Sequence, residues 1–149
     1  MKTTINYQEI SSLALNGYNK DVEISKISEK TIKICYNPGV IAPNIIVNVS
    51  ITNLCNNIID LKYECSAEYS RLGSIGLSSI LDFVDKWILS IKKYIPEGIE
   101  VYTDERIVRV DLNKFEKLEK ALQYLSLSDI IFNEDDLSVM LSIAQQISA

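Results

Sequence analysis

The stretch Ser74-Ile75-Gly76-Leu77-Ser78-Ser79-Ile80-Leu81-Asp82-Phe83-Val84-Asp85-Lys86-Trp87-Ile88-Leu89-Ser90-Ile91-Lys92-Lys93-Tyr94-Ile95 decides how the fold is read. Its periodicity predicts one long helix over about 75–95, close to about 30 Å at about 1.5 Å per residue. At about 100° per residue, Leu77, Ile80, Leu81, Val84, Ile88, Ile91 and Ile95 form one stripe, widened by Phe83, Trp87 and Tyr94. Asp82, Asp85, Lys86, Lys92 and Lys93 hold the opposite side, with Leu89 among them. An apolar arc of about 160° is wider than seating on a flat surface needs. The expected partner is therefore a curved surface.

Both ends carry signals. Ser79 with Asp82 three residues on resembles a capping box, Lys92 and Lys93 suit the C-terminal end of the helix dipole, and Pro96 with Gly98 stops the run. Charges interrupt the segment so often that no window of about 18 uncharged residues exists, which argues against a membrane span. The mixed polar face also differs from the Lys- and Arg-rich face of a surface-lying membrane helix. A core helix is the expectation.

Outward from this segment the chain reads as hairpins. Val22 and Ile24 alternate up to a polar turn at Ser28-Glu29-Lys30, and Ile32, Ile34 and Tyr36 return. Asn37-Pro38-Gly39 breaks the strand. Ile45, Val47, Val49 and Ile51 then alternate with Ile46, Asn48, Ser50 and Thr52. After a turn formed by Asn53 to Asn57, Ile59, Leu61, Tyr63 and Cys65 come back with Asp60, Lys62 and Glu64 pointing out.

Beyond Pro96, Ile99 and Val101 lead through Thr103-Asp104-Glu105-Arg106 to Val108, Val110 and Leu112, with Arg109 and Asp111 facing water. Asn113, with Glu116 at the capping-box position, is expected to start a shorter helix over about 114–125 with Phe115, Leu118, Leu122 and Leu125 on one face. A last hairpin pairs 127–132 with Leu137, Val139, Leu141 and Ile143 across Asn133-Glu134-Asp135-Asp136. At the N-terminus, Ile5, Ile10, Leu13, Ala14 and Tyr18 recur at helical spacing, so a short helix ending near Gly17 is expected.

The expected fold class is α+β. A mainly antiparallel, curved sheet of about eight strands packs on the long helix and the shorter one. A length of 149 residues suits a single domain over 1–149 that buries a core without disulfides or metals. With hydrophobic content of 47%, charged content of 23%, and only 5 Gly and 3 Pro, little of the chain has a linker's composition.

Composition excludes more than it assigns. A net charge of −5 without a basic cluster argues against a nucleic-acid partner, which needs Lys and Arg to displace counterions. With no histidine and three scattered cysteines (Cys35, Cys55 and Cys65), a metal cage is not expected. Cys35 and Cys65 fit small buried hydrophobes. Met1-Lys2 leads into polar Thr3-Thr4-Ile5-Asn6 rather than an apolar leader, so a cytoplasmic location is expected. No cofactor is implied.

Chemistry signals are correspondingly thin. Arg71-Leu72-Gly73-Ser74-Ile75-Gly76 is the nearest approach to a phosphate-binding loop, which makes Arg71, Gly73, Ser74 and Gly76 a candidate anion site. The Gly-Lys-Ser/Thr ending is missing, and a hinge explains the glycines more simply. The acidic turns at 104–105 and 134–136 lack EF-hand spacing and suit solvated turns. Phe83, Trp87 and Tyr94 are either core or the lining of a hydrophobic ligand cavity between helix and sheet. The function expected is non-enzymatic, through protein contact or self-association, because an open antiparallel sheet leaves edges that another chain can extend. Carriage of a lipid or other apolar small molecule is the alternative.

Overall fold

The computed structural model of the chain describes residues 1–18, 21–37, 44–68 and 95–143. Mainly antiparallel strands in two sheets, with short helices, make it α+β. The three-stranded sheet has the order β1(Lys2–Asn6)-β9(Asp136–Ile143)-β8(Leu125–Phe132). The six-stranded sheet has the order β2(Val22–Ser28)-β3(Thr31–Tyr36)-β4(Asn44–Cys55)-β5(Ile58–Glu68)-β7(Ile107–Asp111)-β6(Ile99–Tyr102). Among the described residues no helix is long and apolar enough to cross a membrane.

The expected hairpins form where alternation marked them. The tightest is β4–β5: Cys55 pairs with Ile58, and Asn56 and Asn57 both take left-handed backbone (φ 54° and 63°). Two successive positive φ values define the turn whose twist matches the flanking strands, and asparagine tolerates that conformation better than most residues. The whole polar stretch 53–57 was expected to turn, but the strands extend into it and the turn shrinks to two residues.

One expectation is overturned outright: the strands do not form a single sheet of about eight. The last hairpin does not continue the large sheet. Its β9 pairs instead with β1, from Lys2 opposite Met140 to Asn6 opposite Asp136. The two sheets meet in one shared apolar cluster, in which Tyr7, Ile32 and Phe132 are buried with Ile24, Ile34, Val49, Ile51, Ile130 and Leu137 packed around them. The apolar face at β3 and β4 is thus covered by a sheet where a helix was expected.

The N-terminal helix is present as α1 (Tyr7–Tyr18), but a strand precedes it. Asn6 ends β1 and caps α1, its Oδ1 accepting from the Gln8 amide at 2.7 Å. Leu13, one of the apolar residues recurring at helical spacing, is 69% exposed.

The shorter helix expected over 114–125 is also corrected. The segment is two 3-10 turns, Leu112–Lys114 and Glu116–Leu118, followed by a four-residue α2 (Glu119–Leu122). Phe115 between the turns is extended (φ −91°, ψ 112°), which breaks the helical ladder. Asp111 takes the capping role by accepting from the Asn113 amide at 3.0 Å. Asn113 instead donates through Nδ2 to the Asn56 carbonyl at 2.9 Å. A tertiary tie has replaced the expected cap.

The long helix expected over 75–95 lies outside the described residues up to Tyr94. Ile95 is described and leads through a bend into Gly98.

Candidate functional site

The most developed polar and aromatic cluster among the described residues lies at the β6 edge of the six-stranded sheet. Register builds it. Asp60 of β5 stands opposite Arg109 of β7, and Arg109 stands opposite Glu100 of β6, so acid, base and acid form one row across three strands. Cross-strand neighbours of opposite charge stabilise a sheet as i,i+4 pairs stabilise a helix.

Arg109 is held on both sides. Its Nε donates to Asp60 Oδ1 at 2.8 Å and its Nη2 to Oδ2 at 3.3 Å, a two-pronged pairing, and its guanidinium lies 5.9 Å from the centre of the Tyr102 ring. Tyr102 in turn donates its hydroxyl to Glu100, and Lys114 reaches Glu100 at 3.8 Å. The hydrogen bonds from Arg109 hold the Asp60 carboxyl below the usual carboxylate range. The same pairing raises Arg109, and the hydrogen bond to Glu100 raises the Tyr102 phenol.

The strand beside this row is an edge. Asp111 donates its amide to the Gly98 carbonyl at 2.7 Å, so Gly98 and Asp111 form a hydrogen-bonded pair. By the alternation of antiparallel ladders, Glu100 faces Arg109 in the next such pair, and the Val101 amide and carbonyl point away from β7. Among the described residues no strand pairs with β6 on that side. Tyr102, 38% exposed, stands at the end of this edge.

Other features have structural explanations. The acidic turn at 134–136 is used internally: the Asp135 carbonyl accepts from the Tyr7 amide at 3.0 Å, and Asp136 Oδ1 accepts from Asn133 Nδ2 at 2.7 Å. Asn133 Nδ2 also donates to the buried Ser138 hydroxyl at 2.8 Å. Shallow depressions of about 660 and 410 Å³ lie along α1, the second reaching β2 at Val22 and Ile24. Among the described residues no group of His, Cys, Asp and Glu side chains is placed to hold a metal ion. Cys55 is exposed at the end of β4, whereas Cys65 is half-buried and packs near Ile45.

No family model, curated protein or solved structure matches the chain.

The residues singled out from sequence, Phe83, Trp87 and Tyr94 for an apolar ligand and Arg71, Gly73, Ser74 and Gly76 for an anion, lie outside the described residues. The β6 cluster went unread because its members are dispersed along the chain. Asp60 and Arg109 each showed only as a water-facing position in an alternating strand. The one available signal was opposite charge on strands of complementary pattern, and nothing local pairs β5 with β7 across the intervening segment.

Proposed function

We propose that the chain works through protein contact, with the β6 edge and the Arg109–Tyr102 cluster as the contact surface and a second copy of the chain as the occupant. The observation carrying this reading is that an arginine and a tyrosine are fixed in place beside an edge strand. Both residue types are enriched where interface energy concentrates, and a side chain already held in position loses less freedom on binding. The alternation of Asp60, Arg109, Glu100 and Lys114 favours a twofold contact, in which each acidic position of one copy can meet a basic position of the other. No catalytic role enters the proposal.

Sedimentation over a wide concentration range tests it. The parent chain is expected to dimerise, and Tyr102→Ala and Arg109→Ala should each weaken the dimer by roughly tenfold or more. A parent that stays monomeric up to the highest concentrations removes the second copy as occupant.

A second reading, carriage of a lipid or other apolar small molecule, is favoured by the face of the large sheet where Tyr36, Val47 and Cys65 pack around Ile45. It needs the amphipathic helix expected over 75–95, with Phe83, Trp87 and Tyr94 facing that surface. Native mass spectrometry followed by organic extraction separates the two. A retained apolar molecule that raises the melting temperature on re-addition supports carriage, and an empty dimer supports contact.

A further inference from the structure

The small sheet has its own edge problem. In β9, Leu141 exchanges backbone hydrogen bonds with Met1, its amide donating to the Met1 carbonyl at 2.8 Å and its carbonyl accepting from the Met1 amine at 2.9 Å. Val139 and Leu137, two and four residues on, therefore also face β1. Their partners across β8, Ile130 and Phe132, consequently turn their backbone groups outward, away from β9. An eight-residue strand with the apolar run Ile130-Ile131-Phe132 and, among the described residues, no strand on its outer side is a template for another strand.

That edge is occupied by the turns of the other sheet. From the β2–β3 turn, the Glu29 carbonyl accepts from the Phe132 amide at 2.8 Å, Lys30 Nζ donates to the Ile130 carbonyl at 2.7 Å, and Lys30 ion-pairs with Asp129. From the β4–β5 turn, Asn57 Oδ1 accepts from the Leu127 amide at 2.7 Å. The Ile130 amide is accepted by Asp129 itself at 2.9 Å. A register shift between Leu127 and Asp129 bulges β8 at this point, and a second between Lys26 and Ser28 bulges β2 next to the guarding turn. Bulges re-aim side chains, and here one lies beside Asp129 and the other beside the turn that carries Lys30.

We infer that the outer edge of β8 is a latent strand-pairing surface held shut by the β2–β3 turn, and that releasing this turn lets β8 pair with β8 of a second copy. The strand is uncharged apart from Asp129, so Lys30 both supplies hydrogen bonds to the edge and fixes its one carboxylate away from a pairing partner. A β8–β8 contact is antiparallel and twofold, so this surface by itself joins copies in pairs. This surface is separate from the β6 edge and does not depend on it.

Asp129→Asn and Lys30→Met test the inference in the full chain, since both sites are about half exposed and each change keeps side-chain volume. Each variant, made in an Arg109→Ala parent in which the β6 contact is weakened, is expected to form, with rising concentration, a species of twice that parent's mass in sedimentation. In the species of parental mass the Phe132 amide should exchange with solvent roughly tenfold faster than in the parent, and in the doubled species it should be protected again. Parental mass at every concentration with a fast Phe132 amide overturns the inference, because the edge is then open and unused. A doubled species with no renewed protection at Phe132 also overturns it, because pairing then occurs elsewhere. Unchanged exchange at Phe132 in both variants overturns the guarding role of Lys30.

Discussion

Asn57 accepts a hydrogen bond from the Leu127 amide through its side chain at 2.7 Å while its own carbonyl accepts from the Leu112 amide at 3.0 Å. A single turn residue thus joins the tip of the β4–β5 hairpin to both the end of β7 and the start of β8. It does so from left-handed backbone, where the side chain is brought toward β8 without disturbing the strand pairing behind it.

Replacements at Asn57 should separate these roles. Asn57→Ala loses the acceptor for Leu127 and incurs the left-handed penalty, together about 2–4 kcal/mol. Asn57→Gly keeps the backbone conformation and loses the acceptor together with the long, exposed donation from Nδ2 to Asn113 Oδ1 at 3.4 Å, so its cost should be about half as large. Asn57→Asp keeps the acceptor and should be the mildest. Urea unfolding ranks the three, and a glycine variant as stable as the parent would show that the bond to Leu127 contributes nothing.

Two glycines should respond to alanine with opposite signs. Gly98 has φ +106°, and a Cβ there stands 2.9 Å from both the Asp111 carbonyl oxygen and the Phe115 ring. Backbone strain and the clash act together at the start of β6, so Gly98→Ala should cost at least about 2 kcal/mol. Gly17 lies near the end of α1 with nothing within 4 Å of its would-be Cβ. Gly17→Ala should stabilise by about 0.5–1 kcal/mol, because alanine restricts the unfolded chain and favours helix. Thermal melts of the two variants on either side of the parent are the expected result.

What could be read from sequence follows the range of the interactions involved. The hairpins 22–36, 45–65, 99–112 and 127–143 each declare themselves by alternation within one local stretch, and each is present. β1 does not: Lys2, Thr3, Thr4, Ile5 and Asn6 are all exposed, so no burial pattern exists to read. The split into two sheets depends on pairing Lys2 with Met140 and Asp60 with Arg109, between residues far apart in the chain. The same distance hid the β6 cluster. The helix expected from Asn113 failed for a different reason, since Asn113 is drawn to the β4–β5 turn and Phe115 extends, and neither is encoded in helical periodicity.

Tyr7 links α1 to the β8–β9 turn, and its hydroxyl donates to the Asn133 carbonyl at 2.7 Å from a nearly buried site. Burial, reinforced by the nearby Asp136 carboxylate, raises its phenol above the usual value. A raised folded-state value means stability that is whole below about pH 10 and lost as pH rises through the folded value. Tyr7→Phe should therefore cost about 1 kcal/mol at neutral pH and flatten the alkaline limb of the stability profile. A variant whose alkaline limb matches the parent's would place that limb's titration elsewhere.

The acid limb should belong largely to Asp60 and Asp129. Hydrogen bonds from Arg109 lower the first, and the Lys30 ammonium with the Ile130 amide lowers the second. A carboxyl whose folded value lies below its unfolded one, about 3.9, contributes stability that is present above that pH and lost as pH falls through the lowered value. Both pairs are partly exposed, so salt should weaken the effect. Asp60→Asn and Asp129→Asn should each flatten the decline in stability below about pH 4, and the double variant should combine the two effects because the sites lie in different sheets. Denaturant midpoints measured across the acid range at low and at high salt, at protein concentrations where every variant is monomeric, would show this. A parent whose acid limb is steep at both salt concentrations and unchanged in the double variant would assign the limb to other carboxylates and remove both pairs from the acid response.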